Sequence, residues 1–232
     1  MQVIILAGGF GTRLQAVVPD LPKPMAPVAG RPFLAYLMQN LKRYGASRFI
    51  LSVHYKRETI MWAFGDAFDG IPIDYAVEET PLGTGGGIAN AAGFVTEDTA
   101  LILNGDTFLD MDYTGFHEQA GHHNLTLALR HVPDVSRYGQ VAVNDTHITH
   151  FAEKGPSGPG LINGGVYGLN VPWFRGLSLP SAFSMESDFF YPQVAELKPH
   201  YITTEGYFLD IGVPEDYARA QREVGQHFSS PR

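Results

Sequence analysis

Hydrophobic positions in the first hundred residues form short continuous runs that alternate with helix-spaced patterns. A continuous apolar run bounded by polar residues predicts a buried strand, whereas apolar residues spaced three and four apart predict a helix face. The pattern predicts strands at 3–7, 48–53, 73–77 and 100–103, and helices at 33–44, 58–64 and 88–92. Because strands and helices alternate, we expect parallel strands joined by helical crossovers in a doubly wound sheet.

From about Asp112 onward the pattern changes to strands joined by short connections. Strands are predicted at 125–130, 140–143, 148–153, 161–169, 201–204 and 207–209, and helices at 187–197 and 214–224. Glycine and proline dominate the stretch KGPSGPG at 154–160, which predicts a tight turn. No stretch is long enough to serve as a linker between independent domains. We therefore predict one α/β domain over residues 1–232, with a first half at 1–111 and a mixed-sheet second half at 112–232.

Composition describes an ordinary folded protein and excludes several classes of function. Hydrophobic residues make up 44% of the chain and charged residues 17%, which is typical of globular domains rather than disordered chains. The formal net charge of -8 disfavours nonspecific binding to nucleic acid or anionic lipid. The sequence lacks cysteine, so disulfides, thiolate catalysis and cysteine zinc sites are excluded. No apolar run approaches the roughly 18 residues of a membrane helix, and we expect a cytoplasmic protein that binds neither nucleic acid nor membrane.

The segment GGFGTR at 8–13 follows the first predicted strand directly. Glycine lets a backbone approach a ligand closely, so an apolar strand that ends in this loop indicates a phosphate cradle. Two known cradles do not fit. A dinucleotide fingerprint that started at Gly9 would need its third glycine where Leu14 stands, and a P-loop would need Gly-Lys-Ser/Thr. A glycine turn that merely joins a strand to a helix remains the alternative at this point.

Two cations follow the glycine loop. Arg13 comes two residues after the last glycine, and Lys23 lies between two prolines in PKP. Proline fixes its own φ and restricts the preceding residue, so we expect Lys23 in an extended, pre-organised segment. Rigid cations beside a glycine cradle suit phosphoryl or nucleotidyl transfer, in which positioning and electrostatics contribute most of the catalysis. Taken singly, each residue could equally be a solvated surface charge.

Further short motifs recur in order over nearly the whole chain. They are LAGGFGTRL followed by PKPM, EETPLGTGGGI at 78–88, LNGDT at 103–107, RYG at 137–139, EKG at 153–155, LINGGVY at 161–167 and DIGVPEDY at 210–217. This series resembles the sugar-1-phosphate nucleotidylyltransferases, and within that family the chain is most similar to the D-glycero-α-D-manno-heptose 1-phosphate guanylyltransferases. The resemblance implies a nucleotide-diphospho-sugar transferase fold, with a Rossmann-like, doubly wound, mixed and mostly parallel sheet and a smaller β-rich sugar-binding lobe. Residues 1–111 would be the nucleotide-binding half, and residues 112–232 the sugar-binding half with the C-terminal helix.

The resemblance also implies a reaction and a set of site residues. A nucleoside monophosphate would be transferred to a sugar 1-phosphate, and pyrophosphate would leave. The catalytic residues would be Arg13, Lys23 and Asp106, and the cofactor would be Mg²⁺ held by Asp106 and Asp210, which suits an ion that prefers oxygen ligands and retains water. The nucleotide-binding residues would be Leu6, Ala7, Gly8, Gly9, Gly11, Thr12, Arg13, Lys23, Glu78, Pro81, Gly83 and Thr84. The sugar phosphate would be bound by Asn104, Gly139, Glu153, Lys154 and Asn163.

The residue type at position 78 bears on the choice of base. Relatives of the thymidylyl and uridylyl type commonly carry glutamine five residues before the glycine that matches Gly83, whereas this chain has Glu78. A carboxylate offers two acceptor oxygens, which suit the N1–H and the exocyclic amine of guanine. The expected nucleotide partner is therefore GTP, and the resemblance implies D-glycero-α-D-manno-heptose 1-phosphate as the second partner. Glu79 is the alternative reader of the base.

Other interpretations keep the chemistry but change the substrates. They are mannose 1-phosphate with GTP, N-acetylmuramate 1-phosphate with UTP, which the stretch TGGGI at 84–88 favours, and glucose 1-phosphate with dTTP. A catalytically silent subunit that binds nucleotide-sugar is the alternative from another class. The combined presence of the cations and carboxylates argues against it, because a binding module would not require the whole set. The sequence leaves homo-oligomerisation open.

Overall fold

The computed structural model describes residues 1–152 and 157–227, so part of the turn predicted at 154–160 lies outside the described residues. The strands are β1 (Gln2–Leu6), β2 (Pro27–Val28), β3 (Arg31–Pro32), β4 (Arg48–Val53), β5 (Ala67–Phe68), β6 (Ile71–Val77), β7 (Thr99–Asn104), β8 (Thr107–Leu109), β9 (Leu125–Val132), β10 (Gln140–Val143), β11 (Ile148–Phe151), β12 (Gly160–Asn170), β13 (His200–Thr204) and β14 (Phe208–Asp210). The α-helices are α1 (Phe33–Arg43), α2 (Arg57–Phe64), α3 (Gly83–Ala92), α4 (Tyr113–Ala120), α5 (Val171–Arg175), α6 (Tyr191–Leu197) and α7 (Pro214–His227). A 3₁₀ turn spans Lys23–Met25, and a π-helix spans Met185–Phe190.

One mixed sheet organises the molecule, as the sequence predicts. Its strand order is β11-β10-β12-β7-β1-β4-β6-β5, and β9 pairs with both β12 and β13. The central strands β7, β1, β4 and β6 run parallel, whereas β12 runs antiparallel to β7. Strands from the second half of the chain thus extend the sheet of the first half.

Helices cover both faces of the sheet, which confirms the doubly wound arrangement. Along β1, Val3 and Ile5 contribute to the core on one face and Ile4 to the core on the other, because successive side chains of a strand point to opposite faces. The first core receives apolar residues of α1 and α4, and the second receives those of α3, α5 and the π-helix. In the described part of the chain, no helix combines the length and apolar content needed to cross a bilayer.

Strand β12 belongs to both parts of the sheet because it bends. Its first residues pair with β10 and its last five with β7, while β9 runs along its other edge. The register against β9 shifts between Asn163 and Tyr167, and Gly165 adopts a positive φ of 73° within the shift. Such a bulge bends a strand and increases its twist. The bend turns the first half of β12 away from the parallel strands.

The glycine run at 83–87 lies inside helix α3, whereas the sequence predicts a helix only from residue 88. Glycine lowers the helix propensity of this segment, but close packing against a neighbouring segment stabilises the helix. A Cβ at Gly85 would lie 2.1 Å from the ring of Phe183, and one at Gly86 would lie 2.4 Å from the carbonyl oxygen of Ser181. The amides of Gly85 and Gly86 both donate to the carbonyl of Phe183, at 3.0 and 3.3 Å. The glycines therefore allow α3 to pack directly against residues 181–184 (Ser181 to Ser184), here segment 181–184.

Gly168 in β12 should be intolerant of any side chain. A Cβ at this position would lie 2.3 Å from the Cβ of Ala120 in α4, which has no rotamer to move away. We expect Gly168→Ala to lower the free energy of unfolding by about 1–3 kcal/mol through overpacking, measured by urea denaturation. Gly176→Ala is the matched control, because its Cβ would meet its nearest neighbour at 3.3 Å. Equal stabilities of the two variants would contradict the packing argument.

Candidate active site

Two adjoining cavities open where the parallel strands end. The first, here the Lys23 cavity, has a volume of about 300 Å³ and is lined by Leu6, Gly9, Gly11, Thr12, Arg13, Lys23, Pro24, Thr84, Asn104, Gly105, Asp106 and Gly212. The second, here the Glu78 cavity, measures about 180 Å³ and is lined by Leu6, Gly8, Gly9, Phe10, Ser52, His54, Glu78, Pro81, Gly83 and Thr84. Ligands of open α/β sheets bind at this edge. Most residues predicted to bind the nucleotide are therefore together, although Ala7 is buried and lines neither cavity.

The glycine loop allows Lys23 to reach the first cavity. Gly11 has a positive φ of 60°, and a Cβ there would lie 2.9 Å from the Cβ of Lys23. The amide of Leu14 donates to the carbonyl of Gly11 at 2.9 Å, which closes a turn, and the side chain of Leu14 is buried below the loop. The loop thus ends against the core, while Arg13 stays exposed to solvent.

Lys23 begins a 3₁₀ turn, and the prediction that it lies in an extended segment is wrong. The amide of Met25 donates to the carbonyl of Pro22 at 2.8 Å, and the amide of Ala26 donates to that of Lys23 at 3.0 Å. Pro24 is tolerated in the first positions of such a turn, because an amide there has no intrahelical partner. Pre-organisation is nevertheless present, since the turn is buried and presents the ammonium of Lys23 to the cavity.

Two carboxylates meet at the ammonium of Lys23. Its Nζ donates to Asp106 Oδ2 and lies 3.5 Å from Asp210 Oδ1. Asp106 follows β7, whereas Asp210 ends β14, which pairs with β8 so that Asp210 lies opposite Thr107. The amide of Ile211 also donates to the carbonyl of Asp106 at 3.0 Å. A short ladder therefore brings together two residues that are far apart in sequence.

The carboxylate pair carries more negative charge than the surroundings favour. Burial and the nearby charge of Asp106 raise the pKa of Asp210, against the opposing effects of Lys23, the amide of Gly212 and Arg13. Mg²⁺ is usually bound by one or two carboxylates together with water and substrate phosphates. Among the described residues no group of three potential metal-ligating side chains occurs, so a divalent cation here would have this two-carboxylate set. The donor set fits Mg²⁺.

The carboxylate of Glu78 is fixed at one end of the second cavity. The residue is only 6% exposed. Its Oε1 accepts from Ser52 Oγ at 2.6 Å, and its Oε2 accepts from the amide of Leu82 at 3.1 Å. Glu79, by contrast, has a side chain that is 80% exposed and pairs with Arg57 at 3.2 Å. The structure thus brings Glu78, and not Glu79, into the cavity.

Three further residues line the Glu78 cavity without having been predicted. They are Phe10, Ser52 and His54. The Nδ1 of His54 lies 2.8 Å from the carbonyl oxygen of Glu78, and the ring of Phe10 packs edge-on against His54 with centroids 5.7 Å apart. A signal for two of them exists in the sequence, because Ser52 and His54 stand at the carboxyl end of a predicted central strand.

The residues predicted for the sugar phosphate are only partly brought together. Asn104 lines the Lys23 cavity, whereas Gly139 and Asn163 line neither cavity. A Cβ at Gly139 would lie 2.7 Å from the carbonyl oxygen of Ala152, and the amide side chain of Asn163 bonds within its own strand. Glu153 and Lys154 lie outside the described residues. The sugar-binding assignments therefore stay predictions.

Asp210→Asn should stabilise the protein when no divalent cation is present. Because its folded-state pKa is raised, Asp210 costs stability as the pH rises from about 4 through that pKa. We expect the melting temperature of the variant in EDTA at pH 7.5 to exceed that of the wild type by about 1–3 °C. The difference should vanish near pH 4.

Thermal denaturation across this pH range checks the prediction. Asp145→Asn is the control, since Asp145 is exposed in a turn and should change the melting temperature at no pH. A melting temperature of Asp210→Asn below that of the wild type at pH 7.5 would show that the ionised form is net stabilised by Lys23.

The chain is similar to known proteins over nearly its whole length. The family model described as nucleotidyl transferase matches residues 2–227. The chain is 43% identical to D-glycero-alpha-D-manno-heptose 1-phosphate guanylyltransferase of Aneurinibacillus thermoaerophilus, over 98% of this chain and 100% of that protein. It is 44% identical to the protein of the same name from Campylobacter jejuni, over 94% and 97%.

A solved structure is similar as well. The crystal structure of HddC from Yersinia pseudotuberculosis complexed with GMP-PN superposes with a TM-score of 0.86 at 38% identity, over 96% of this chain and 98% of that one. The resemblance stated from the sequence is thereby confirmed. The chain belongs to the nucleotidyl transferase family.

Proposed function

We propose that the protein transfers GMP from GTP to D-glycero-α-D-manno-heptose 1-phosphate, giving GDP-heptose and pyrophosphate. The observation that carries the proposal is the fixed carboxylate of Glu78 in a cavity that adjoins Lys23. Relatives with this activity in their names, similar over nearly the whole chain, support the choice of sugar.

Glu78 is suited to guanine by its chemistry. Each carboxylate oxygen accepts one hydrogen bond from the protein and keeps a further lone pair for a ligand. Guanine presents N1–H and an exocyclic amine side by side, whereas uracil and thymine present one N–H. The bonds from Ser52 and Leu82 hold the carboxylate in place, so little side-chain entropy is lost on binding. This arrangement favours GTP over UTP or dTTP.

The transfer itself forms one bond and breaks one. An oxygen of the sugar-bound phosphate attacks the α-phosphorus of GTP, and the bond from that phosphorus to the bridging oxygen of the β-phosphate breaks. Asp106 and Asp210 would hold Mg²⁺, which supplies charge neutralisation for the triphosphate when bound. The guanidinium of Arg13, which lines the Lys23 cavity, offers donors to phosphate oxygens. Lys23 places a second positive charge at the same cavity.

Substrate preference tests the proposal directly. In a grid of GTP, UTP, dTTP and CTP against heptose, mannose, glucose and N-acetylmuramate 1-phosphates, pyrophosphate should be released fastest from GTP with the heptose. Glu78→Gln should lower kcat/KM for GTP by about ten- to a hundredfold, because one acceptor becomes a donor. It should raise the relative rate with UTP.

Glu79→Gln is the matched control, because the neighbouring carboxylate lies outside the cavity. It should keep the wild-type preference. A wild-type preference for UTP or dTTP would contradict guanylyl transfer, and release from no pair would favour the silent subunit. Mannose 1-phosphate as the better acceptor would leave the base assignment standing and overturn the choice of sugar.

Arg13→Gln should separate catalysis from stability. Arg13 is exposed and forms no ion pair within 4.0 Å among the described residues, and solvent screens its charge from Asp210, so the melting temperature should change little. The loss of one preorganised charge at the transferring phosphate should lower kcat by about 10²–10³-fold. Pyrophosphate release under saturating substrates measures it, with Arg222→Gln on the exposed side of α7 as control. Activity within threefold of the wild type would remove Arg13 from the mechanism.

A further inference from the structure

Polar side chains form a hydrogen-bonded chain between the two halves of the molecule, away from the carboxylate pair. Thr84 Oγ1 donates to Glu186 Oε2 at 2.8 Å, and the hydroxyl of Tyr167 donates to Glu186 Oε1 at 3.3 Å. Asn163 Nδ2 in turn donates to the Tyr167 hydroxyl at 2.9 Å. Thr84 lines both cavities, whereas Asn163 is predicted to bind the sugar phosphate. Glu186 is therefore the midpoint between a nucleotide-side and a sugar-side residue.

The hydroxyl of Thr84 is held in one orientation by this chain. It accepts from the amide of Met185 at 2.8 Å while it donates to Glu186, so both of its roles are defined. Glu186 and Met185 lie in the first turn of the π-helix, and π-helical turns are frequent at functional sites. Ser184 Oγ, which caps this helix, also donates to Glu186 Oε2 at 3.2 Å.

The other end of the chain is equally defined. Tyr167 is completely buried, and burial together with the charge of Glu186 raises its pKa well above the ordinary value, so its hydroxyl stays a donor. Asn163 Oδ1 accepts from the amide of Gly165 at 2.9 Å, which leaves its amide group aimed at Tyr167. Gly165 is in turn packed against Asn104, since a Cβ there would lie 3.0 Å from Asn104 Nδ2. The chain thus ends beside the wall of the Lys23 cavity.

Neutral hydroxyl groups, rather than a cation, bond to the carboxylate of Glu186. Among the described residues it has no cation within 4.0 Å, and its charge is met only by the hydroxyls of Thr84, Ser184 and Tyr167. Hydrogen bonds to an ionised acceptor are stronger than those between neutral groups, so the carboxylate fixes the orientation of the hydroxyls that donate to it.

We propose that Glu186 is a positioning residue that sets Thr84 on the nucleotide side and, through Tyr167, Asn163 on the sugar side. Because one carboxylate holds Thr84 and Asn163 in place, Glu186 aligns the sugar-bound phosphate with the α-phosphorus of GTP. This role rests on the proposed function and deepens it, because it assigns a residue to the alignment of the two substrates.

Steady-state kinetics with GTP and D-glycero-α-D-manno-heptose 1-phosphate test the role. Glu186→Gln keeps the shape but replaces one acceptor oxygen by a donor, so the KM of each substrate should rise by about tenfold, as expected for a lost bond to a charged group. Tyr167→Phe keeps the ring and breaks only the branch to Asn163, so only the KM of the heptose 1-phosphate should rise. Thr84→Val should raise the KM of GTP, and Thr84→Ser, which retains the hydroxyl, should restore it.

Thermal denaturation of each variant separates positioning from folding. Glu58→Gln is the control, because this carboxylate is 79% exposed and forms an ion pair with the neighbouring Arg57. Unchanged KM values in Glu186→Gln, or a lower melting temperature with unchanged KM values, would overturn the proposal. An equal rise in the KM of GTP and in that of the heptose 1-phosphate in Tyr167→Phe would also overturn the proposal. If the wild type used another pair of substrates, the proposed function would fail, and the same KM pattern measured with that pair would still decide the role of Glu186.

Discussion

The ammonium of Lys23 joins three segments that are far apart in sequence: the 3₁₀ turn after the glycine loop, the end of β7, and the end of β14. Each carboxylate alone would be an ordinary residue at the end of a strand. Placed together and partly buried, they repel, and only a cation between them makes the arrangement affordable. The need for a cation between the carboxylates constrains two parts of the site. Gly11 must lack a side chain so that Lys23 can approach, and Asp210 must lie on a strand that pairs with β8.

Glycine carries a second, independent part of the architecture. At α3 the glycines serve contact between two protein segments, since the carbonyl of Phe183 accepts the amides that a phosphate would need at this helix end. The amides of Gly85 and Gly86 are therefore already engaged within the protein. The same contact brings Thr84 within hydrogen-bonding distance of Glu186. The packing of α3 against segment 181–184 therefore determines both the cavity wall and the hydrogen-bonded chain behind it.

The sequence predicts much of the sheet and of the candidate site, and the features that it does not predict depend on tertiary contacts. The parallel strands and the residues at their carboxyl ends, Asp106 and Glu78 among them, follow from apolar runs and their polar termini, whereas the roles of these two residues follow from the resemblance. Strand β8 has three residues and no periodicity, so its pairing with β14 could not be foreseen. The helical state of 83–87 and the turn at Lys23 contradict local propensity, because close tertiary packing decides both. The links from Glu186 to Thr84 and Tyr167 carry no local signal, because these partners lie about a hundred residues away and on β12.

The contact between α3 and segment 181–184 has a consequence for how such enzymes diversify. The second half of a relative cannot simply be exchanged for this one, because the backbone of segment 181–184 supplies the acceptor for the amides of Gly85 and Gly86 in a helix of the first half. A graft that omitted this segment would leave those amides without an acceptor and remove the packing behind Gly83 and Thr84, which line the Glu78 cavity. We therefore expect substitutions along β12 and the π-helix to preserve the fold better than recombination of halves.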